Sequence, residues 1–369
     1  MTHESSYIKY QTSMKENSEY EIFVSGNAPR LYPTDTYFGL LYYGPNEAIE
    51  IPKLYPYGGE WGNVLSTQIH ENDTFPMPRL IYMVWLSIVE QKFYLLRDRL
   101  QYKKMENLWC KEEKDLNEKI FSHIVVGMAP FGGVAVWCYG DKKSVIEGWH
   151  QAEETEINIQ DFMGSNPDIS LTKNCNFYIE NDNLVKNNIE QNGLPSRHLF
   201  DNYMKQFIYR YQVLLEKWVG NSEEIKWEKY KEYEDKMPEF DYMEESLFDG
   251  THDKLHDEGL LKYHQAGKPQ KIAIKWHIGK SEYSAYFWFE EEPIREVFDK
   301  FYGAHPDTKT DFIIRIDAES RKYELALYRY GLKEPQVIPE NVYQLLVFKN
   351  KFEDYRSDNY NQERGTWIW

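Results

Sequence analysis

The chain has 369 residues, of which 60 are acidic and 43 are lysine or arginine, so its formal net charge is −17. This length allows about two domains of ordinary size, each with its own core. The acidic balance argues against nucleic acid or an anionic membrane as a partner, because contacts with phosphate groups need basic side chains.

No apolar run approaches the about 18 residues of a membrane-spanning helix, so no transmembrane segment is expected. The first residues have neither the basic start nor the apolar stretch of a secretory signal, and no lipidation cysteine follows them. We therefore expect a cytoplasmic protein. Its three cysteines, Cys110, Cys138 and Cys175, lack metal-ligand spacing and fit a reducing compartment.

The first half of the chain is rich in aromatic and β-branched runs that predict strands. The predicted elements are strands over 19–25 and 36–43, a hairpin over 80–97, a polar helix over 112–121 and a second hairpin over 123–139. A Pro- and Gly-rich loop after the second strand is predicted to expose Tyr55, Tyr57 and Trp61 as an aromatic platform. The glycines of the second hairpin predict a turn, because no helix follows them as a phosphate loop requires.

The second half begins with apolar residues at helical spacing over 198–219, which predict one longer amphipathic helix. The charged stretch 221–262 is interpreted as a linker or insertion. Strict alternation over 271–278 then predicts an antiparallel strand. A short helix is predicted over 291–303, followed by three more strands.

Two parts of the chain repeat one pattern. Trp85 lies seven residues after Pro78, and Trp276 lies seven residues after Pro269; an aromatic-x-Tyr-Gly sequence follows each tryptophan. The repeat predicts an α+β fold with two similar lobes of mainly antiparallel sheet and short crossing helices. We expect an N-terminal lobe over 1–220 and a C-terminal lobe over 263–369, the latter a possible repeat of 78–140.

Acidic residues concentrate in two windows, 147–168 and 234–249. Their surface would steer a basic protein partner, with aromatic residues beside them as anchors. Solvated loops are the alternative interpretation. The predicted partner-binding residues are Glu153, Glu154, Glu156 and Trp149 in the first window, and Glu239, Asp241, Tyr242, Glu244, Glu245 and Phe248 in the second.

No catalytic constellation or cofactor motif is recognised. His252 and His256 would lie one turn apart in a helix and are weak candidates for a metal site. The bracketing glycines favour a solvated charged turn, so we expect no metal. A chain in which no catalytic or cofactor-binding motif is recognised is compatible with a non-catalytic binding role.

Several motifs occur in a recognisable order: an Ala-Pro-x-x-Tyr-Pro start, a tryptophan strand leading to Lys-Phe-Tyr, the hairpin IVVGMAPFGGVAVWCYG and a following acidic QAEE. Together they resemble the bacterial family known as domain of unknown function 2931, over roughly residues 20–215. The second half resembles a diverged second copy or an attached relative. The family supplies no catalytic residues to carry over.

Many members of that family look like lipoproteins, and some are encoded beside secreted antibacterial effectors. The resemblance therefore implies an immunity protein of interbacterial competition, which neutralises a cognate toxin by direct binding. The alternatives are a structural or scaffold protein of the cell surface, and a carbohydrate-binding or enzymatic protein that uses an aromatic cleft.

Overall fold

A computed structural model describes residues 18–55, 58–68, 74–110, 120–164, 170–219, 226–229, 238–317, 322–350 and 353–354. The chain divides into two compact units, Met1–Met204 and Lys205–Trp369. Both are built mainly of antiparallel strands with short helices, so the fold is α+β as predicted. None of the helices in the described ranges is long and apolar enough to cross a membrane.

Unit 1 consists of two five-stranded sheets, a short ribbon and five helices in the ranges described. Its strands are β1 Glu19–Glu21, β2 Phe23–Asn27, β3 Thr34–Tyr42, β4 Ala48–Glu50, β5 Ser66–Gln68, β6 Thr74–Pro76, β7 Leu80–Ser87, β8 Lys92–Arg99, β9 His123–Met128, β10 Gly133–Tyr139, β11 Ser144–Gln151 and β12 Glu153–Thr155. Its helices are α1 Tyr102–Trp109, α2 Ile159–Met163, α3 Leu171–Asn181, α4 Asn183–Asn192 and α5 Arg197–Met204.

The core of unit 1 lies between its two sheets, in the orders β12-β8-β7-β3-β4 and β11-β10-β9-β2-β5. Alternate residues of each strand point into this layer, among them Trp85, Leu96 and Val126, which are at most 2% exposed. Helix α1 adds Met105 and Trp109. Burial of so much aromatic and aliphatic surface is the main stabilising contribution to this unit.

Unit 2 has the strands β13 Phe207–Val219, β14 Lys226–Lys229, β15 Pro238–Leu247, β16 His252–Leu255, β17 His264–Ala266, β18 Pro269–Ile278, β19 Ser281–Phe289, β20 Thr310–Asp317, β21 Tyr323–Tyr328, β22 Gln336–Val337, β23 Tyr343–Lys349 and β24 Glu353–Asp354. Its helices are α6 Asp257–Leu260 and α7 Glu291–Tyr302. The apolar side of α7 is buried through Ile294, Phe298 and Phe301. Pro293 in its first turn and Glu291 and Glu292 before it favour a helix start there.

The two units pair their strands in the same order. The sheet β12-β8-β7-β3-β4 of unit 1 has its counterpart in β23-β19-β18-β15-β16 of unit 2. The sheet β11-β10-β9-β2 corresponds to β22-β21-β20-β13, and in both the last two strands are parallel. Even a register shift recurs, at Thr36/Phe38 in β3 and at Phe240/Tyr242 in β15.

The predicted long helix over 198–219 is wrong. Residues 197–204 do form helix α5, but 207–219 form strand β13, which pairs with β20 and β17. Phe207, Tyr209 and Tyr211 are fully buried, which is the alternation of a strand. The sequence misled because its aromatic residues recur every four positions, a spacing that keeps them on one side of a helix and also of a strand.

The boundary between the two units lies at 204/205, and the predicted linker over 221–262 is wrong where it contains β14, β15 and β16. Residues 238–247 form β15, which pairs with β16 and β18 inside a sheet. Its charged residues conceal a strand because Met243, Glu245 and Leu247 alternate inward while Glu244 between them is exposed. The predicted helix over 112–121 falls almost wholly outside the described residues. Phe121, which is described, is buried and is not helical.

Candidate partner-binding surface

The loop predicted to form an aromatic platform does not expose all three rings. Tyr55 is 76% exposed, but Trp61 is only 8% exposed and contacts Trp137 edge-on, with ring centroids 4.8 Å apart. Room for this contact comes from Gly127, where a Cβ would lie 2.7 Å from Trp61 and 2.5 Å from Trp137. Tyr57 lies outside the described residues. Trp61 therefore belongs to the core, and the platform prediction is wrong for it.

The first acidic window is partly neutralised by the protein itself. Glu154 in β12 accepts a hydrogen bond from Lys92 at 2.7 Å, while Glu153 and Glu156 are exposed. Trp149, predicted as an anchor, is partly exposed and stacks on Trp61 at 6.4 Å. Of the three predicted acids of this window, Glu154 is thus the one engaged by Lys92.

A buried histidine cluster accounts for another acid of that window. The fully buried carboxylate of Glu147 lies 3.1 Å from Nε2 of His150, whose Nδ1 is 2.8 Å from Asp98. Burial disfavours the charged imidazole, but hydrogen bonds to Glu147 and Asp98 outweigh it, so the pKa of His150 is raised. The cluster connects β8 with β11 and has a structural role.

Residues 238–247 of the second acidic window form strand β15, so their side chains divide between the two faces of a sheet. Glu245 is buried and accepts a hydrogen bond from the Tyr211 hydroxyl at 2.5 Å, and Phe248 is only 9% exposed. Neither residue is an exposed anchor. Glu239 and Asp241 both lie 3.0 Å from the imidazole of His277, whose pKa they raise, Asp241 more strongly. Four of the six residues predicted in this window are thus buried or engaged within unit 2.

The predicted helical histidine pair is not helical. His252 begins strand β16, and His256 precedes helix α6. Four residues along a strand span about 13 Å, too far for both imidazoles to bind one ion directly. Within the described residues no group of three or more His, Cys, Asp or Glu side chains is placed to hold a metal ion.

Two of the predicted residues, Tyr242 and Glu244, do lie at an open groove. The groove has a volume of about 240 Å³ and lies on the face of β15, β18, β19 and β23 that points away from the buried side chains. Its small central side chains are Ala273 and Ser284, which pair in register with Tyr286 and Phe348. The remaining lining residues are Ile274, Lys275 and Glu282.

Four partly exposed aromatic side chains, Tyr242, Tyr286, Trp288 and Phe348, share this side of the sheet; we call them the aromatic face. The rings of Tyr286 and Trp288 stack at 5.4 Å with an interplanar angle of 26°. Phe348 meets Tyr286 edge-on at 5.9 Å. Amphipathic rings held in fixed positions around a depression are the usual anchors of a protein contact.

The corresponding face of unit 1 is covered. There Val84, Leu86 and Phe93 pack with residues of α2 and α3 in one apolar cluster. Both units pair a buried tryptophan with a tyrosine, Trp85 with Tyr94 and Trp276 with Tyr283. Aligning those pairs fixes which positions of the two faces correspond.

That alignment shows a reversal of polarity. The covered positions of unit 1, Val84, Leu86, Phe93 and Leu95, correspond in unit 2 to Lys275, His277, Glu282 and Ser284. The exposed Arg97 and Arg99 of unit 1 correspond to Tyr286 and Trp288. Polar residues are expected on an exposed sheet face, whereas unit 2 has two partly exposed aromatic rings where unit 1 has exposed arginines.

The chain matches a family described as "Protein of unknown function (DUF2931)" over residues 9–196, just over half of its length. It belongs to this family. No curated protein and no solved structure matches the chain. The DUF2931 match falls within unit 1, so the aromatic face lies outside the matched residues.

Sequence reasoning named Tyr242 and Glu244 but missed the other residues of the aromatic face in this DUF2931 chain. Tyr286, Trp288 and Phe348 alternate with buried Phe287, Phe289 and Val347, so both sides of these strands are apolar. Such a two-sided strand normally lies inside a molecule. Aromatic residues on both sides of β19 were the signal available in the sequence.

Proposed function

We propose that this chain is a non-catalytic binding protein that neutralises a toxin by direct contact, and that the aromatic face is the contact surface. The observation that supports this proposal is that unit 2 has aromatic residues at the positions that correspond to Arg97 and Arg99 of unit 1. These aromatic residues lie on a side of the sheet with an open groove. Half-buried tyrosine and tryptophan give large contact area at low entropic cost, which suits an interface centre.

The charge of the chain supports a basic partner at long range. A net charge of −17 attracts a basic protein from solution, and the exposed Glu153 and Glu156 contribute to that field. Such charges act mainly on the association rate, whereas the aromatic anchors decide the dissociation rate.

We expect the partner to be a secreted effector encoded beside the gene for this chain, and the test uses that protein; a gene neighbourhood without one would count against the proposal. Cells that produce the effector should grow when the full chain is co-produced, and the purified proteins should form a complex measurable by biolayer interferometry. Trp288→Ala and Tyr286→Ala should each weaken the complex by about 2 kcal/mol, roughly 30-fold in Kd, through faster dissociation.

Tyr55→Ala is the matched control, because Tyr55 is an exposed aromatic residue of unit 1 that lies outside the aromatic face. Its Kd should equal that of the unaltered chain. Unaffected dissociation in both face variants would reject the aromatic face as the contact surface. Growth arrest despite co-production of the full chain would reject neutralisation itself.

A further inference from the structure

The aromatic face carries charges of both signs, although the chain as a whole is strongly acidic. Its strands place three lysines, Lys254, Lys271 and Lys275, on the same side as the rings, together with the carboxylates Glu244 and Glu282. Glu239 and Asp241 flank His277 at one end of this face. All three lysines are partly buried. Their stems lie along apolar surface while their ammonium groups stay near the rings.

Two of these lysines already have a carboxylate partner. Nζ of Lys254 lies 3.4 Å from Glu244, and Nζ of Lys275 lies 3.1 Å from Glu282. Lys271 is different: no carboxylate of the described residues lies within ion-pair distance of it. Its Nζ is 5.7 Å from the ring centroid of Tyr286 and 5.6 Å from that of Trp288.

The lysine is thus held by the two rings that replace Arg97 and Arg99 of unit 1. Attraction between a cation and the ring faces fixes its position without neutralising its charge. A carboxylate brought to this ammonium group would gain a charge-assisted hydrogen bond, and the rings around it would exclude water. The groove beside it, with Ala273 and Ser284 at its centre, has room for an apolar side chain.

We propose that the segment of the partner protein that docks on the aromatic face is acidic, with a carboxylate at Lys271 and a neighbouring apolar side chain in the groove. This inference rests on the proposed function and specifies the partner for the same surface. A toxin can be basic overall and still present an acidic segment, because steering depends on total charge and docking on local charge. Because docking would bury Lys271, the carboxylate of the docked segment also supplies the counter-charge that this lysine would otherwise lack.

The test begins with a random-peptide library displayed on phage and selected on the immobilised full chain. Selected peptides should combine Asp or Glu with an aromatic or aliphatic residue. A fluorescent copy of the best peptide should bind the full chain in an anisotropy titration, more weakly at high salt. Lys271→Glu should reduce its affinity at least tenfold, because it places like charges together.

Lys333→Glu is the matched control, since Lys333 is an exposed lysine of the same unit in the turn after β21; it should leave the affinity unchanged. Circular dichroism of both variants shows whether the fold is retained, and Lys271→Met provides a second variant that removes charge without repulsion. Peptides that are basic, insensitive to Lys271→Glu and Lys271→Met, or displaced by simple saccharides would overturn the inference. Failure to select any peptide would overturn it as well.

The peptide experiment needs no toxin, so it separates the two proposals. If acidic peptides bind at Lys271 but the full chain does not protect cells from the effector, the inference about the surface stands and the neutralising role fails. If protection occurs and the peptides prove basic, the neutralising role stands and the acidic docking segment is rejected.

Discussion

At the scale of single residues, Asp35 is a carboxyl group whose burial in charged form lowers the stability of the fold. It lies in β3 on the side covered by α3, and burial raises its pKa to about 7, with Lys53 acting in the opposite direction. Burial, with a smaller contribution from Asp35, also raises the pKa of Cys175 to about 12. The folded protein therefore holds a proton on Asp35 that the unfolded chain releases at a lower pH.

The raised pKa of Asp35 makes the free energy of unfolding of unit 1 depend on pH. A carboxyl group with a raised pKa in the folded state lowers stability as pH rises from its ordinary value toward 7. Asp35→Asn should therefore stabilise unit 1 by about 2 kcal/mol at about pH 8 and by much less at about pH 5. Urea unfolding at both pH values measures this difference.

Asp141→Asn is the control for that experiment, because Asp141 is an exposed aspartate in the turn between β10 and β11. Its stability relative to the unaltered chain should change little between the two pH values. A pH-independent effect of Asp35→Asn would contradict the assignment of the raised pKa.

A second residue-scale prediction concerns the buried Glu245. Tyr211 donates its hydroxyl to this carboxylate at 2.5 Å, and both side chains are buried. Tyr211→Phe should cost unit 2 about 2 kcal/mol of unfolding free energy, because the buried carboxyl group of Glu245 loses its hydrogen-bond donor. Tyr209→Phe, which removes a bond to the Gly267 carbonyl at 2.8 Å, should cost about 1 kcal/mol by the same measurement. Equal costs would show that the hydrogen bond to Glu245 contributes no more than the one to the Gly267 carbonyl.

At the scale of elements, the start of helix α4 depends on one side chain. Asp182 accepts hydrogen bonds from the backbone N–H groups of Leu184 and Val185, and it pairs with Arg30 at 2.7 Å. Burial opposes its charge, yet the Arg30 and backbone hydrogen bonds lower the pKa of Asp182. One carboxylate therefore caps the helix and connects it to the loop before β3.

Substitution can separate these two contributions. Asp182→Ala should destabilise unit 1 by about 1.5 kcal/mol, whereas Asp182→Asn keeps the cap and should lose at most about 0.5 kcal/mol. Thermal unfolding followed by circular dichroism compares them. Equal losses in the two variants would show that the ion pair, and not the cap, holds the helix start.

Most strands could be predicted from alternation, and the two errors have different causes. Strand β18 was clear because Ile272, Ile274 and Trp276 alternate with Lys271 and Lys275. Strand β13 was mistaken for a helix because a spacing of four fits both structures. Strand β15 was hidden by its charges, since a strand with one buried carboxylate violates the usual polar and apolar pattern.

The candidate site was less predictable than the fold. Tyr242 and Glu244 were named from the acidic window, yet the rings and lysines beside them come from β18, β19 and β23. Such a surface depends on strand register, because a shift by one residue would turn every side chain to the opposite side. Composition identified an aromatic-rich chain without indicating which rings would remain exposed.

At the scale of the whole molecule, each unit has its own buried core and its own pair of sheets. The same strand order supports the idea of an internal duplication, which we propose without a sequence match for the second copy. Residues 1–204 and 205–369, produced separately, should each fold, because hydrogen-bonded sheets and apolar cores are complete within each unit.

Urea unfolding of the two fragments provides the measurement. Each should unfold cooperatively, and its midpoint should match one transition of the intact chain. A fragment that lacks a cooperative transition would show that its unit needs the rest of the chain to fold.

The parallel pairing of β2 with β9, and of β13 with β20, has a consequence for synthesis. Residue 23 meets residue 123, and residue 209 meets residue 310, so the first strand of each pair leaves the ribosome about a hundred residues before its partner. Until then its apolar side chains and backbone edge remain unpaired, which is the condition under which nascent chains aggregate. Slower translation cannot help a strand whose partner does not yet exist, so we expect chaperones that protect the early strand to raise the folding yield of each half of this protein.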